Sequence, residues 1–510
     1  MGILKRQSLK SSVVNYIGAF LGVVFFNFIF PHLISAEYLG LIGLIQYLTL
    51  ILACLPTLGL THILIRFFST WKENHKHLAS FNGFSIITIL IATFVLLISL
   101  LVFKSPIVHF YQTRSSLFLP YYYIIFPILI CQVFLQYLEG FSMIKHRITA
   151  PTFVREILLR VLLIVVVYLF AYEFISEANF VNSIGITYLV AFLVLAFYAI
   201  KILRLSVRSP KLYLKQNPLL KSELAYGASM FLIVIFLVVQ NMIDGIMIPS
   251  YLGLAELAIY LRPLVVAQMI LIPYRAIAGI SIPLMRESFA NQDIVKVREL
   301  NKSISINLFI IGTFLFTIIM VNGVNFFKLL PLEYSKGIYV LYIVAFARLI
   351  DMSFGLNTEI IYTSNHYKPM IWFAGIACLL NIVLNAMLIP RFGAIGSAIS
   401  LAAVVVIFNL MKSIFIYKSL QMHSFSFNQL KLLTIALITI ATLYFIPYIS
   451  FINNHMFANA LANIAFKTFI ACLLFIFPLY HLQISRDFNE FFKLVISGKI
   501  FKGGHRMDNL

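Results

Sequence analysis

Within the stretch from Ala345 to His366, AFARLIDMSFGLNTEIIYTSNH, three ionisable residues stand where a lipid-facing helix would carry leucine: Arg348, Asp351 and Glu359. At 100° per residue they fall within about 80° of one another, so one continuous helix would present all three on a single face. A charge inside a membrane span costs roughly 2.5–3.5 kcal/mol on insertion scales, and such a face turns toward a bundle interior or a wet cavity. Two kinds of chemistry are open to it. A guanidinium binds phosphate through paired donors and stays charged at any physiological pH, while the carboxylates can take up a proton or a sodium ion. Arg348 and Asp351 at i, i+3 also fit a structural ion pair, a role that leaves Glu359 unexplained.

Further charges lie within apolar runs. Arg160 follows Glu156 by one turn, which suits a local i, i+4 ion pair. Arg262 and Arg275 share a run bent by Pro263 and Pro273; Arg262 is near enough to its outer end to snorkel, and Arg275 is deeper. Arg348 lies deeper still, near the midplane, about 16 Å along its helix at 1.5 Å per residue. These four arginines are candidates for an anion site on a substrate pathway. Asp351, Glu359, Asp244 and Glu139 are candidates for coupling to a proton or sodium ion, with an interfacial structural role equally open to Asp244 and Glu139. Lys467 could contact a lipid headgroup or another helix. No cofactor and no metal site is called for.

The elements that must position these residues follow from composition. With 61% hydrophobic and 11% charged residues and a mean hydropathy of +0.97 over 510 residues, a soluble globular protein is excluded. About twenty apolar residues cross a bilayer, and the alternating ten-residue segments of a membrane barrel are absent. The chain reads as an all-α polytopic membrane protein with about fourteen spans, near 12–34, 39–65, 82–103, 117–139, 153–174, 180–203, 222–248, 255–283, 303–326, 337–362, 370–390, 395–418, 429–450 and 459–482. The first run follows Lys5, Arg6 and Lys10, exceeds a signal-peptide core and lacks a small-residue cleavage site, so it reads as a retained helix. Cys54, Cys131, Cys378 and Cys472 sit in apolar runs at unrelated spacings and read as packing residues.

The formal charge of +20 raises the question of nucleic acid, but its distribution answers to a membrane. With the N-terminus in the cytoplasm, 28 of the 38 Lys and Arg residues fall on the cytoplasmic side, five within spans, and five outside: Lys104, Arg114, Lys328, Lys336 and Arg391. That bias places both termini inside. The most basic connection, KILRLSVRSPKLYLKQNPLLKSE, reads as a linker between halves that also rests on the anionic leaflet.

A weak internal repeat supports two halves. Glu139 and His146 recur as Glu359 and His366 at an offset of 220, Glu37 recurs as Glu256 at 219, and Gly185 as Gly396 at 211. The expected organisation is an N-terminal six-helix lobe over 1–210, a C-terminal six-helix lobe over 211–425, two further helices over 426–485 and a cytoplasmic tail over 486–510. Six helices per half put the pseudo-twofold along the membrane normal. Small residues on the twelfth run, Gly393, Gly396, Ser397, Ala398 and Ser400, suit close packing within the fold or between subunits.

Enzymatic classes find little support. GxxxxGK[ST], HExxH, paired CxxC and GxSxG are all absent, and Gly498-Lys499 lacks the upstream glycine of a phosphate loop. The outer loops are short, which disfavours a glycan polymerase or ligase needing a folded acceptor domain.

In its opening SSVVNYIGAFLGVVFFNFIFPHLISAEYLGL, in NMIDGIMIPSYLGLAELAIY, in FGLNTEIIYTSNHYK and in NIVLNAMLIPRFGAIGSAIS, the chain resembles the polysaccharide-transport family of the MOP flippase superfamily, the Wzx-type flippases of O-antigen and capsule repeat units. The resemblance covers nearly the whole chain. It implies a MATE-like fold of two six-helix lobes around a central cavity, alternating access without ATP hydrolysis, and a place in the bacterial inner membrane. Its implied cargo is an undecaprenyl-diphosphate-linked oligosaccharide; its other partners are membrane lipids and polysaccharide assembly proteins, with no nucleic acid. A drug or cation exporter of the same superfamily is the main alternative, expected to carry a more acidic and aromatic cavity.

Overall fold

The structure is a computed structural model that describes residues 2–71, 74–364, 368–423, 425–450, 455–485 and 488–490. Every regular element among them is helical. A bilayer offers no water to backbone N–H and C=O groups, and a helix satisfies them within its own segment.

Helices stand at all fourteen expected runs, although the one over 39–65 divides at Leu58 and Gly59, both at positive φ, with a second helix over Leu60–Trp71. In chain order they are α1 (Val13–Leu33), α2 (Ala36–Thr57), α3 (His75–Val102), α4 (Ser116–Ile144), α5 (Thr149–Ala171), α6 (Glu177–Ile202) and α7 (Leu220–Leu252). There follow α8 (Leu254–Gly279), α9 (Ile294–Phe327), α10 (Leu332–Ser353 with Asn357–Thr363), α11 (Pro369–Phe392), α12 (Ala394–Leu420), α13 (Phe427–Tyr444) and α14 (Met456–His481). Among the described residues twelve of these are long and apolar enough to cross a membrane, and α10 makes a thirteenth as a pair bent by 47°. The remaining helix, α5, carries Arg155, Glu156 and Arg160 in its first half, and those charges set it apart from the others.

The chain groups into two compact units, residues 1–262 with 368–400, and residues 263–367 with 401–510. In the first, α2 packs on α4 and α7 packs on both α2 and α11. A Cβ on Gly40 would come within 1.9 Å of the Leu254 carbonyl oxygen, so glycine is what lets α2 approach the start of α8. Gly396 does the same for α12 against the Leu388 carbonyl, at 2.2 Å from a Cβ, which assigns that glycine to packing inside the fold. In the second unit α9 is the axis against which α10, α13 and α14 pack. These units describe which helices touch, whereas the 1–210 and 211–425 lobes describe a repeat in sequence order; His366 of that repeat lies outside the described residues.

Candidate functional site

The α10 helix breaks at Phe354–Leu356. Gly355 has φ +60, and a Cβ there would fall 2.0 Å from Ser305 Oγ on α9, so both the left-handed turn and the close approach require glycine. Gln429 of α13 donates to the Ser353 carbonyl at 3.0 Å and satisfies one of the acceptors that the break exposes. The single helical face inferred from the sequence therefore holds for Arg348 and Asp351 and ends at Ser353; Glu359 sits beyond the bend on the Asn357–Thr363 segment.

Around that break the second unit assembles a charged cluster. Arg348, only 7% exposed, pairs through its NH1 nitrogen with Asp351 Oδ2 at 3.2 Å. Asn409 of α12 donates to the other carboxylate oxygen of Asp351 at 2.7 Å. One turn further, Lys412, 5% exposed, donates to Thr358 Oγ1 at 2.9 Å, lies 4.3 Å from the Phe408 ring centre, and feels the fields of Asp351 and Glu359. Tyr274 donates to Glu359 Oε2 at 2.5 Å. Two cations and two carboxylates thus share a largely buried region, an arrangement that offsets the desolvation of each charge. One donor is left over: Arg348 Nε is buried with no hydrogen-bond partner, a deficit that costs about 1–3 kcal/mol and that an oxyanion could relieve.

The first unit answers its charges differently. Asp244 accepts from Tyr260 Oη at 2.6 Å and from Asn385 Nδ2 at 3.0 Å; Asn385 also donates to Asn381, which donates to the Gln240 carbonyl at 2.6 Å. Neutral dipoles on α7, α8 and α11 solvate this carboxylate.

Arg262 holds α1. The Gly22–Ile29 segment of α1 is a π-helix, in which Phe30 N–H bonds to the Phe25 carbonyl. The donor for the Phe26 carbonyl would be residue 31, a proline without an N–H. The Arg262 guanidinium bonds to the Phe26 carbonyl instead, and also to the Ala258 carbonyl at 3.3 Å. Arg160 forms the expected pair with Glu156 at 2.6 Å and bonds as well to the Gly18 carbonyl of α1. Glu139 pairs with Arg155 at 3.2 Å, joining α4 to α5.

Of the residues singled out from the sequence, the structure joins Arg348 with Asp351 directly, and Glu359 through the same cluster. Arg160 and Arg262 are brought to α1, Arg275 is exposed on α8, and half-buried Lys467 reaches the Leu443 carbonyl of α13 at 3.5 Å. Lys412, Asn409 and Tyr274 were not anticipated. Lys412 lies inside the 395–418 run, and α12 continues for eight residues beyond it to Leu420; that position within an apolar run is the signal in the sequence.

A bundle of this length and helix order, with ionisable groups gathered inside it, has the fold of the MOP-superfamily transporters. It superposes on the lipid II flippase MurJ in an inward closed conformation with a TM-score of 0.69 at 13% identity, covering 94% of this chain and 100% of that one. An inward-facing multidrug resistance MATE family transporter matches at 0.62 and 11% identity, over 80% and 94%. A MOP-superfamily transporter from Pyrococcus furiosus, described as having a binding pocket of reverse polarity, matches at 0.56 and 13%, over 82% and 96%. At these identities the likeness is one of fold. No curated protein matches the sequence. The polysaccharide biosynthesis protein family model matches residues 4–289, more than half of the chain, and the protein belongs to that family.

Proposed function

We propose that this multi-pass membrane protein is a flippase that carries an undecaprenyl-diphosphate-linked oligosaccharide from the cytoplasmic to the outer leaflet of a bacterial inner membrane, for O-antigen, capsule or exopolysaccharide synthesis. Both termini are cytoplasmic in this reading, and transport is by alternating access without ATP hydrolysis. The observation that carries it is the cluster of buried Arg348 and Lys412 around Asp351 and Glu359, with the unpartnered Arg348 Nε, in a chain of the polysaccharide biosynthesis family. A diphosphate presents the paired oxygens that a guanidinium binds best.

In this account Arg348 and Lys412 attract the diphosphate, and Asp351 compensates them when no cargo is present. Protonation of Asp351 or Glu359, or sodium at these acids, sets the direction of the cycle. Arg275, being exposed, contributes at an earlier or later stage of the path, while Arg160 and Arg262 act through α1. The test is a flipping assay in proteoliposomes with a fluorescent undecaprenyl-diphosphate oligosaccharide, run beside a cationic dye. Movement of the lipid-linked sugar and not of the dye is expected. Movement of the dye alone would transfer the protein to the exporters.

A further inference from the structure

The connection between α6 and α7 is pinned to the start of α3 by a polar clamp. Arg208 N–H donates to the Ala79 carbonyl at 2.9 Å, Asn82 Nδ2 to the Ser206 carbonyl at 3.0 Å, and Ser80 Oγ to the Ser209 carbonyl at 2.7 Å while accepting from Tyr213 N–H at 2.9 Å. Gly83 admits the connection, since a Cβ there would stand 1.8 Å from the Arg208 carbonyl oxygen. Tyr213, on the short helix Lys211–Gln216, is fully buried among the rings of Trp71, His77, Phe81 and Phe84, and its hydroxyl donates to buried Glu223 at 2.8 Å. Burial and the neighbouring carboxylate raise that hydroxyl well above its ordinary pKa, so it stays a donor at any physiological pH. A basic, proline-bearing loop is thereby held in one conformation.

Against this surface lies an open depression of about 400 Å3 lined by Lys76, Ser80, Arg208, Ser209, Lys211 and Leu212. Its three cations come from two separate stretches of chain, and among the described residues none of them forms an ion pair. Asn74 caps α3 beside it by accepting from His77 N–H at 3.0 Å, and the positive end of that 28-residue helix adds to the potential. An anion placed among these three cations would relieve their mutual repulsion.

We propose that this depression is a phosphate-binding site, distinct from the cluster around Arg348, whose occupant is a phosphate oxyanion of a lipid headgroup or a soluble phosphate compound. The Lys and Arg distribution assigns it to the cytoplasmic face, where anionic headgroups lie within reach.

The test uses the full chain in neutral detergent, with bound lipid counted by native mass spectrometry. The probes are short-chain phosphatidylglycerol, short-chain phosphatidylcholine and inorganic phosphate as competitor. Wild type retains phosphatidylglycerol at least about tenfold better than the variant K76Q/R208Q/K211Q, as the loss of three cations facing an anion implies. The control K201Q/K215Q, altered at the end of α6 and elsewhere on the connection, retains it as wild type does. Displacement by millimolar inorganic phosphate identifies the phosphate group itself as the ligand; protection by phosphate alone, with no lipid retained, assigns the site to a soluble compound. Equal retention by wild type and the triple variant, or equal retention of the two lipids with no phosphate binding, overturns the site. All three side chains are exposed, so the variants keep the fold, and a thermal melt of the unliganded proteins checks this.

Discussion

The polar interior around Asp244 and the one around Arg348 solve the same problem in opposite ways. Asp244 is a single carboxylate surrounded by a phenol and a chain of amides. The cluster around Arg348 balances charge against charge, lies at a helix break, and leaves a buried guanidinium donor without a partner. Arg262 belongs with the first kind, because backbone carbonyls on α1 and α8 occupy its guanidinium. Each interior leaves one buried side-chain atom without a hydrogen-bond partner, Asn385 Oδ1 in the first and Arg348 Nε in the second; the first is an acceptor among neutral groups, whereas the second is a cationic donor that suits an oxyanion.

The comparison can be broken at its firmest point first. Arg262→Ala leaves the Phe26 carbonyl without a donor, and about 1–3 kcal/mol is expected for each buried group so orphaned. Thermal melting of purified protein should show a large loss of stability and a poor folded yield; a wild-type melt would mean that α1 does not depend on Arg262. Asp244→Leu removes the acceptor of both Tyr260 and Asn385 and should destabilise to a similar or slightly smaller extent, again read by melting temperature.

Lys412→Met should reverse that pattern. Lys412 donates to the neutral Thr358 Oγ1, so its replacement by an apolar side chain of similar length is expected to cost less stability than Arg262→Ala, while initial transport rates should fall about tenfold if roughly 1.4 kcal/mol of cargo attraction is lost. A destabilised protein with normal transport would place Lys412 among the structural charges. The double variant Asp351→Asn, Glu359→Gln should remove any dependence of transport on pH or sodium while leaving the protein in the membrane; full transport with an unchanged dependence on both would dismiss these acids from coupling. Arg275→Gln, at an exposed position, is expected to lower transport by no more than about threefold, under 1 kcal/mol, and to leave melting unchanged.

What the sequence made legible followed from local rules. Twenty-residue apolar runs located all fourteen helices, and helical spacing anticipated the Arg160–Glu156 and Arg348–Asp351 pairs. The rest depended on distance along the chain. Asp244 meets Asn385 across 141 positions, and Glu139 meets Arg155 across 16, neither of which any period encodes. The turn at Gly355 was hidden because glycine is common inside membrane helices and does not by itself announce a break. The role of Arg262 was hidden too: Pro31 was visible, but the π-helical shift that makes it matter leaves no signature in residue types.

The central claim is that Arg348 serves the cargo and not the fold. Its most direct measurement is leaflet-to-leaflet movement of a fluorescent undecaprenyl-diphosphate oligosaccharide in proteoliposomes made with equal amounts of wild type, Arg348→Ala and Arg348→Lys. The account predicts no movement with alanine, partial movement with lysine, whose ammonium lacks the paired donors, and normal membrane insertion for both. Wild-type rates from both variants, inserted normally, would contradict it.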